Sequence, residues 1–469
     1  MMEALQDRLG PGSIVTAPEA MARYLVDWRG RYRGIAQAVL KPRDTAEVAA
    51  VMEWATATRT PVVPQGGNTG LSGGATPDAS GRAVVLSLER MNRIRAIDTE
   101  GDTVVAEAGC VLATVQQASR AAGRLLAISL GSEGSCQIGG IVATNAGGIN
   151  VIRHGMTRDL VLGLEYVLAD GTVSRTPSLL RKDNTGYDLR HLLIGSEGTL
   201  AVITAASLRL LPAPRGTATA LCGVGHPRDA LALLGRLRDA GLAAIASFEL
   251  MCEGEMQLVL DLLPAARTGL ANRHRWYVFV ETEGDSDEAA RESLGAGMAA
   301  ALENGTVADA VLAQNGRQAA AIWHLRFAVS EANRRTGPGF SYDVSVATAA
   351  VPAFLDSIEA ELAVALPTAR RLFVGHLGDG NMHVNVVPDP VHQEQAGGIE
   401  ALRPLVDEIV YGTVTADAGS ISAEHGIGRL KVAALGKARP AHELALMRAI
   451  KASFDPLGIL NPGVVLAAT

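Results

Sequence analysis

The sequence predicts an α+β protein of two or three domains, and three observations carry that expectation. Its 469 residues are 48% hydrophobic and 19% charged, a balance that fills more than one core. Short β-branched runs bounded by Gly, Pro and Asp alternate with stretches of helical spacing along the chain. Three glycine-rich loops crowd the part before Pro212-Ala213-Pro214-Arg215-Gly216, which reads as a linker. The expected segments are 1–214, 215–419 and 420–469.

Residues 17–60 hold a short strand at Ala38–Pro42 and an amphipathic helix from Thr45 to Thr58, for which a threonine is a suitable cap. Pro61–Pro64 is the next strand and runs into Gln65–Gly74, where five glycines fall between 66 and 74. Such a loop bares backbone N–H groups to a phosphate or pyrophosphate, and its place between two strand signals argues against a simple linker. It matches neither G-x-G-x-x-G nor the Walker pattern, so those two folds are not expected. Strands at Ala83–Leu88 and Thr103–Ala108 and a helix at Leu112–Gly123 lead to a second cluster, Leu130–Gly148. Its small residues let a flat ligand lie directly on the main chain. Leu164–Val173 carries the Asp-Gly turn of a hairpin, and Asp188–Leu200 is the third cluster. Beyond the linker, Pro227–Gly241, Asp287–Glu303, Trp323–Arg335, Val351–Ala365 and Ala441–Phe454 carry helical patterns, and Trp276–Glu281 a strand.

The most informative stretch is Gly375-His376-Leu377-Gly378-Asp379-Gly380-Asn381-Met382-His383-Val384-Asn385, read as two strands around a turn. A four-residue turn at Gly378–Asn381 would set His376 opposite His383 and Val374 opposite Asn385, all on one face. Two imidazoles and a carboxamide then share a patch. A hairpin can also carry solvated histidines, but Ser422-Ala423-Glu424-His425-Gly426-Ile427-Gly428 offers a carboxylate and a further imidazole. Two His and one carboxylate leave open positions on a divalent ion, the mark of a catalytic rather than a structural metal. A hydroxyl and carboxylate of a substrate would chelate such an ion, with His425 beside it as general base.

The net charge of −7 and the lack of any Lys/Arg run exclude a nucleic-acid partner from the expectation. Cys110, Cys136, Cys222 and Cys252 are widely spaced, which suits a reducing compartment and no disulfide framework. Met1–Val15 has no apolar core and no run of about 18 apolar residues occurs. A cytoplasmic protein without a signal peptide or membrane span is expected.

The motifs PQGGNTGLSGG, GSCQIGGIVATNAGG, GYDLRHLLIGSEGTL, GHLGDGNMHVN, EHGIG and LNPG stand in one order between about residue 20 and Gly463. In them the chain resembles the FAD-dependent oxidoreductases of the vanillyl-alcohol-oxidase type with a PCMH-type FAD domain. Within that family it is similar to the D-2-hydroxyglutarate and D-lactate dehydrogenase branch, which includes glycolate oxidase FAD subunits. The resemblance implies a PCMH-type FAD domain of two α/β subdomains. To this it adds a substrate cap with a large antiparallel sheet flanked by helices and a C-terminal helical segment returning to the FAD domain. It implies non-covalent FAD on Pro64, Gly66, Gly67, Asn68, Thr69, Gly70 and Leu71, and on Leu130, Gly131, Gly134, Ser135, Gly139, Gly140, Thr144, Asn145, Gly147 and Gly148. Gly198, Val202 and Ile203 would add backbone contacts and Asn461 would lie near the flavin.

By the same resemblance, His376, His383 and Glu424 would hold a divalent metal, zinc first with manganese or iron as alternatives, and His425 would be the base. Arg326, Asn385, Ser330 and Tyr342 would hold the substrate. The implied reaction is oxidation of a D-2-hydroxy acid to the 2-oxo acid by hydride transfer to FAD, with D-2-hydroxyglutarate first and D-lactate or glycolate as alternatives. Reoxidation would fall to an electron-transfer flavoprotein, a quinone or another acceptor, and a homodimer is compatible with it. Three positions depart from the family pattern: Ser341 stands where Lys is usual, Phe327 where Glu is, and Ile141 where Asn is. The missing lysine removes a contact to a distal carboxylate and leaves the particular 2-hydroxy acid open.

Overall fold

A computed structural model describes residues 2–239 and 244–468. The helix expected to end at Gly241 runs over Pro227–Asp239, and Gly241 itself lies outside the described residues. The chain divides into two compact units. One comprises Met1–Gly147, Gly155–Ala213 and Glu424–Thr469, the other Gly148–His154 and Pro214–Ala423.

The first unit contains two four-stranded sheets. One is mixed, in the order Ile14–Val15, Ala36–Leu40, Ala83–Ser87, Val62–Gln65, with the last three strands parallel. Strand Ala83–Ser87, which lies between two others, is buried at every residue, as a parallel strand covered on both faces must be. Helix Thr45–Thr58 packs Val48, Val51, Met52 and Ala55 into the core of this sheet. Its cap is Asp44, whose carboxylate accepts from the Glu47 N–H, and not the expected threonine. Thr45 sits inside the helix and gives its hydroxyl to Glu165 instead. The other sheet is antiparallel, in the order Ile94–Asp98, Thr103–Glu107, Val202–Arg209, Val161–Val167, over a separate core that includes Val104, Ile138, Leu164 and Leu208. The Asp170-Gly171 turn forms, with Gly171 at φ +88, but its returning arm is a single bridge from Val173 to Val167.

The second unit is built on a seven-stranded antiparallel sheet. Its order is Asp309–Leu312, Gly216–Val224, Trp276–Gly284, Ile245–Cys252, Arg370–His376, Asn381–Val387, Phe340–Ser345. Helices Asp287–Glu303 and Val351–Ala365 span the residues that the sequence pattern marks, as does Ala441–Phe454 in the first unit. The segment Trp323–Arg335 is two helices, Gly316–Phe327 and Val329–Arg335, split at Ala328.

The histidine hairpin forms in a different register from the one expected. Its four-residue turn is Leu377–Gly380, so His376 opposes Asn381, Val374 opposes His383 and Leu372 opposes Asn385. The turn closes one residue early because the Gly380 N–H reaches the His376 carbonyl at 3.1 Å, at a φ of +86. Asn381 is drawn into the strand by its amide, which donates to Asp343 Oδ1 and to the Val344 carbonyl, each at 3.0 Å. The slip is by two residues, so it preserves the face each side chain occupies. His376 and His383 therefore still meet, edge to face, with ring centroids 5.7 Å apart.

Candidate active site

In the first unit, the three glycine clusters and the tail of the chain come together. Gly66 and Gly67 follow directly on strand Val62–Gln65, and a Cβ on Gly67 would sit 2.0 Å from the Ser135 carbonyl oxygen. The first loop thus lies on the second, and only glycine permits that approach. Gly139 is held in the same way against Ala108, 2.7 Å from its Cβ, and opens the helix Ile138–Thr144. At Gly70, Gly131, Gly134 and Gly140, by contrast, a Cβ would meet no protein atom within 4 Å. Internal packing does not require glycine at these four, whereas a ligand lying on the main chain does.

Asn68, Asn145, Glu197 and Asn461 adopt positive φ, between 44 and 54 degrees, a conformation uncommon for residues with a side chain. Asn461 gives its amide to the carbonyls of Gly74 and Glu197, both at 2.8 Å, while its buried Oδ1 has no hydrogen-bond partner. Gln137 Oε1, beside Gly66, is a second buried acceptor without a partner. Two orphaned acceptors amid bared N–H groups fit a ligand that both accepts and donates hydrogen bonds, as the phosphates and ring of FAD do. Thr144 turns its hydroxyl back to the Gly140 carbonyl, and Gly198 presses on Pro64. Val202 and Ile203 bury their side chains in the two cores, which leaves only their main chain to a ligand. Gly148 groups with the second unit.

The Glu-His segment is anchored to this cradle. Ser72 Oγ donates to the carbonyls of His425 at 3.1 Å and Gly426 at 3.2 Å. The N–H groups of Ile427 and Gly428 donate to the two oxygens of Glu197, at 2.7 and 2.8 Å. Burial pushes the Glu197 carboxyl up to about 7, against these two N–H groups and Lys431. Cys136 lies buried in the second glycine cluster, and burial pushes its thiol up to about 11, which makes it a poor nucleophile.

In the second unit, His376, His383 and Asn385 share one face of the hairpin, and neighbouring strands supply what the sequence reading missed. Glu249 accepts from His376 Nδ1 at 2.7 Å and from Arg326 Nε at 2.9 Å, with Arg326 Nη2 at 2.8 Å. Arg326 is thus buried, with its guanidinium held by Glu249. Burial favours the neutral form of Glu249, but His376 and Arg326 outweigh it and hold the carboxyl below its ordinary range. Asp343, also buried, stands opposite His383 in the ladder, 3.8 Å from its Nδ1. Ser341 stands opposite Asn385 on the same strand.

Tyr342 is not on this face: it is buried on the other side of the strand, where its hydroxyl donates to Asp407 at 2.6 Å and its ring meets Tyr411 edge-on. Alternation along Phe340–Ser345 sends it away from His383 and Asn385, which corrects its expected substrate role. Ser330 is exposed, one helical turn beyond Arg326.

In the second unit Asp343 and His383 each offer a ligand atom, 3.8 Å apart, and in the first unit Glu424 and His425 each offer one, 4.0 Å apart. Asp343 and His425 are donors beyond the expected set of His376, His383 and Glu424. His376 meets His383 edge to face with its Nδ1 committed to Glu249, so Nε2 is the atom that would turn to a cation. A donor set of imidazole and carboxylate fits zinc, manganese or iron without choosing among them. Alternation along Ser341–Ser345 is the signal that could have set Asp343 on one face, but only the pairing shows that this is the histidine side.

Residues 213–465 match the family described as FAD linked oxidases, C-terminal domain, and residues 36–177 match the FAD binding domain. The chain is 39% identical to a mitochondrial D-2-hydroxyglutarate dehydrogenase of Bos taurus over 98% of its own length and 82% of the relative's. It is 38% identical to a D-2-hydroxyglutarate dehydrogenase of Xanthomonas citri, over 98% and 95%. Its fold is similar to that of p-cresol methylhydroxylase with substrate bound, at a TM-score of 0.75, 14% identity and coverage of 99% and 96%. The chain belongs to the FAD-linked oxidases with a PCMH-type FAD-binding domain and is an FAD-dependent oxidoreductase.

Proposed function

We propose that this protein is an FAD- and divalent-metal-dependent dehydrogenase of D-2-hydroxy acids, with D-2-hydroxyglutarate as the first substrate to test. The observation that carries the reading is the face of the hairpin: two imidazoles and a carboxamide, with a buried arginine tied to one imidazole through a shared carboxylate. That arrangement suits an acid with a hydroxyl next to its carboxylate. The relatives named D-2-hydroxyglutarate dehydrogenases support the choice of substrate.

When bound, the flavin supplies a two-electron acceptor and the cation an acid that polarises a hydroxyl. Gly66–Gly70, Gly131–Gly140 and Asn461 would hold the flavin on backbone N–H groups and amides. His376, His383 and Glu424 would hold the cation. Arg326 grips the substrate carboxylate in a charge-assisted pair, and Asn385 orients it from the same face as His383. His425 takes the proton of the hydroxyl at a ring nitrogen, and its backbone carbonyl is fixed by Ser72. The flavin is non-covalent in this reading, which the poor nucleophilicity of Cys136 supports. Four buried free cysteines suit a cytoplasmic location, and among the described residues no helix is long and apolar enough to cross a membrane. An electron-transfer flavoprotein, a quinone or another acceptor would reoxidise the protein.

Ser341, opposite Asn385, favours a second reading in which the acid is smaller, D-lactate or glycolate. Anaerobic addition of D- and L-2-hydroxyglutarate, D-lactate and glycolate to the yellow protein decides between them. Bleaching by a D-2-hydroxy acid and not its L form is expected; no bleaching by any member would sink the dehydrogenase reading.

A further inference from the structure

We propose that Glu249 is a positioning residue that sets the substrate arginine and a metal-ligand imidazole from one carboxylate. The inference rests on the roles of Arg326 and His376 proposed above. Glu249 lies on strand Ile245–Cys252, which pairs Leu250 with Gly375; one step along the same register brings Glu249 opposite His376. Oε1 takes the His376 Nδ1 at 2.7 Å, and Oε2 takes Arg326 Nε at 2.9 Å and Nη2 at 2.8 Å. The carboxylate is fully buried and both oxygens are engaged by separate cations or cation-forming groups.

Each contact dictates something about the group that makes it. A carboxylate accepts only, so it selects the His376 tautomer with the proton on Nδ1 and leaves the Nε2 lone pair for a cation. On Arg326 it occupies the Nε–Nη2 edge of the planar fork, which leaves the Nη1–Nη2 edge to a substrate carboxylate. Replacing a buried ion triad by apolar residues is often neutral or stabilising, so stability alone is a weak reason to bury Glu249. Its span across residues 249, 326 and 376 makes metal affinity and substrate binding depend on one side chain.

Two variants test this, Glu249→Gln and Glu249→Asp. Glutamine offers one acceptor where two are needed; aspartate keeps the charge but is one methylene too short to hold both partners. Zinc retention is measured against graded chelator, alongside the flavin spectrum, Tm, and kcat and KM for D-2-hydroxyglutarate. The expected result is an unchanged flavin spectrum, zinc held about 10–100-fold more weakly, and a raised KM, with aspartate milder than glutamine. If Glu249→Gln does not fold, the aspartate variant decides by the same readings. A lowered Tm with zinc affinity and KM as in the parent would make Glu249 merely structural and overturn the proposal. Should the parent itself hold no zinc and His376→Ala keep full activity, the metal reading falls and takes this one with it; zinc lost in His376→Ala but retained in both Glu249 variants overturns this proposal alone.

Discussion

Glu197, half-buried in the first unit, and Glu249, fully buried in the second, titrate in opposite directions. Glu197 meets two neutral backbone N–H groups, and burial prevails, raising it to about 7. Glu249 meets Arg326 and His376, and their charge outweighs its deeper burial and lowers it. The difference teaches that burial alone does not set a carboxyl's charge; the kind of donor facing it does. It also separates two ways of building a site. The first unit ties down backbone, so Glu197 fixes the segment that begins with Glu424 and His425. The second ties side chain to side chain.

The largest expected effect lies in the segment that Glu197 anchors. His425→Ala should keep FAD and metal yet lose about 10²–10⁴-fold in kcat, the worth of a general base. Glu424→Ala should lose metal and activity together. Metal analysis beside kinetics separates the two; metal lost from His425→Ala and kept by Glu424→Ala would swap their roles, a real contest because the two adjacent side chains each offer a donor atom.

Next in size is the cradle. Gly67→Ala must displace the Ser135 carbonyl, 2.0 Å from the new Cβ, so the variant should purify with little or no flavin colour. Full colour would mean that the second loop moves aside at no cost to binding.

The two glutamates themselves give opposite pH signatures. Glu197 is raised above its unfolded value of 4.5, so its contribution to stability is full below about 4.5 and is lost as pH rises through about 7. The Tm of the parent should therefore fall, relative to Glu197→Gln, between about pH 4.5 and 7. Glu255, also raised to about 7 by burial, adds the same slope to both proteins and cancels in the difference. Glu249 is depressed, so its contribution is present above 4.5 and lost only as pH falls through its lower folded value. The parent minus Glu249→Gln difference should shrink only as pH falls below 4.5 and the carboxylate is protonated. Equal slopes for the two variants would erase the distinction between them.

The smallest effect concerns substrate choice in the second unit. Ser341→Lys places a cation opposite Asn385 and should lower KM for D-2-hydroxyglutarate by roughly 2–5-fold, the worth of one partly exposed ion pair, while leaving D-lactate unchanged. An equal change for both acids would mean that no distal carboxylate binds there.

The sequence by itself determined what is local. Three glycine clusters between strand signals, the two histidines on one face, and the helices Asp287–Glu303, Val351–Ala365 and Ala441–Phe454 follow from residue spacing and turn chemistry, and the structure has them at those residues. Even the two-residue error in the hairpin register left its face correct, because strand periodicity is two. Only the tertiary structure decided which groups those elements meet. Glu249 reaches His376 across 127 residues of chain and Glu197 reaches Ile427 across 230, and no spacing rule spans such distances. Asp343 and Tyr342 are neighbours in sequence, yet the ladder sends one to the histidines and the other to Asp407. Local propensity acts through a residue's own backbone, whereas a partner depends on which strand lies alongside, and that is settled by how the whole sheet closes over its core.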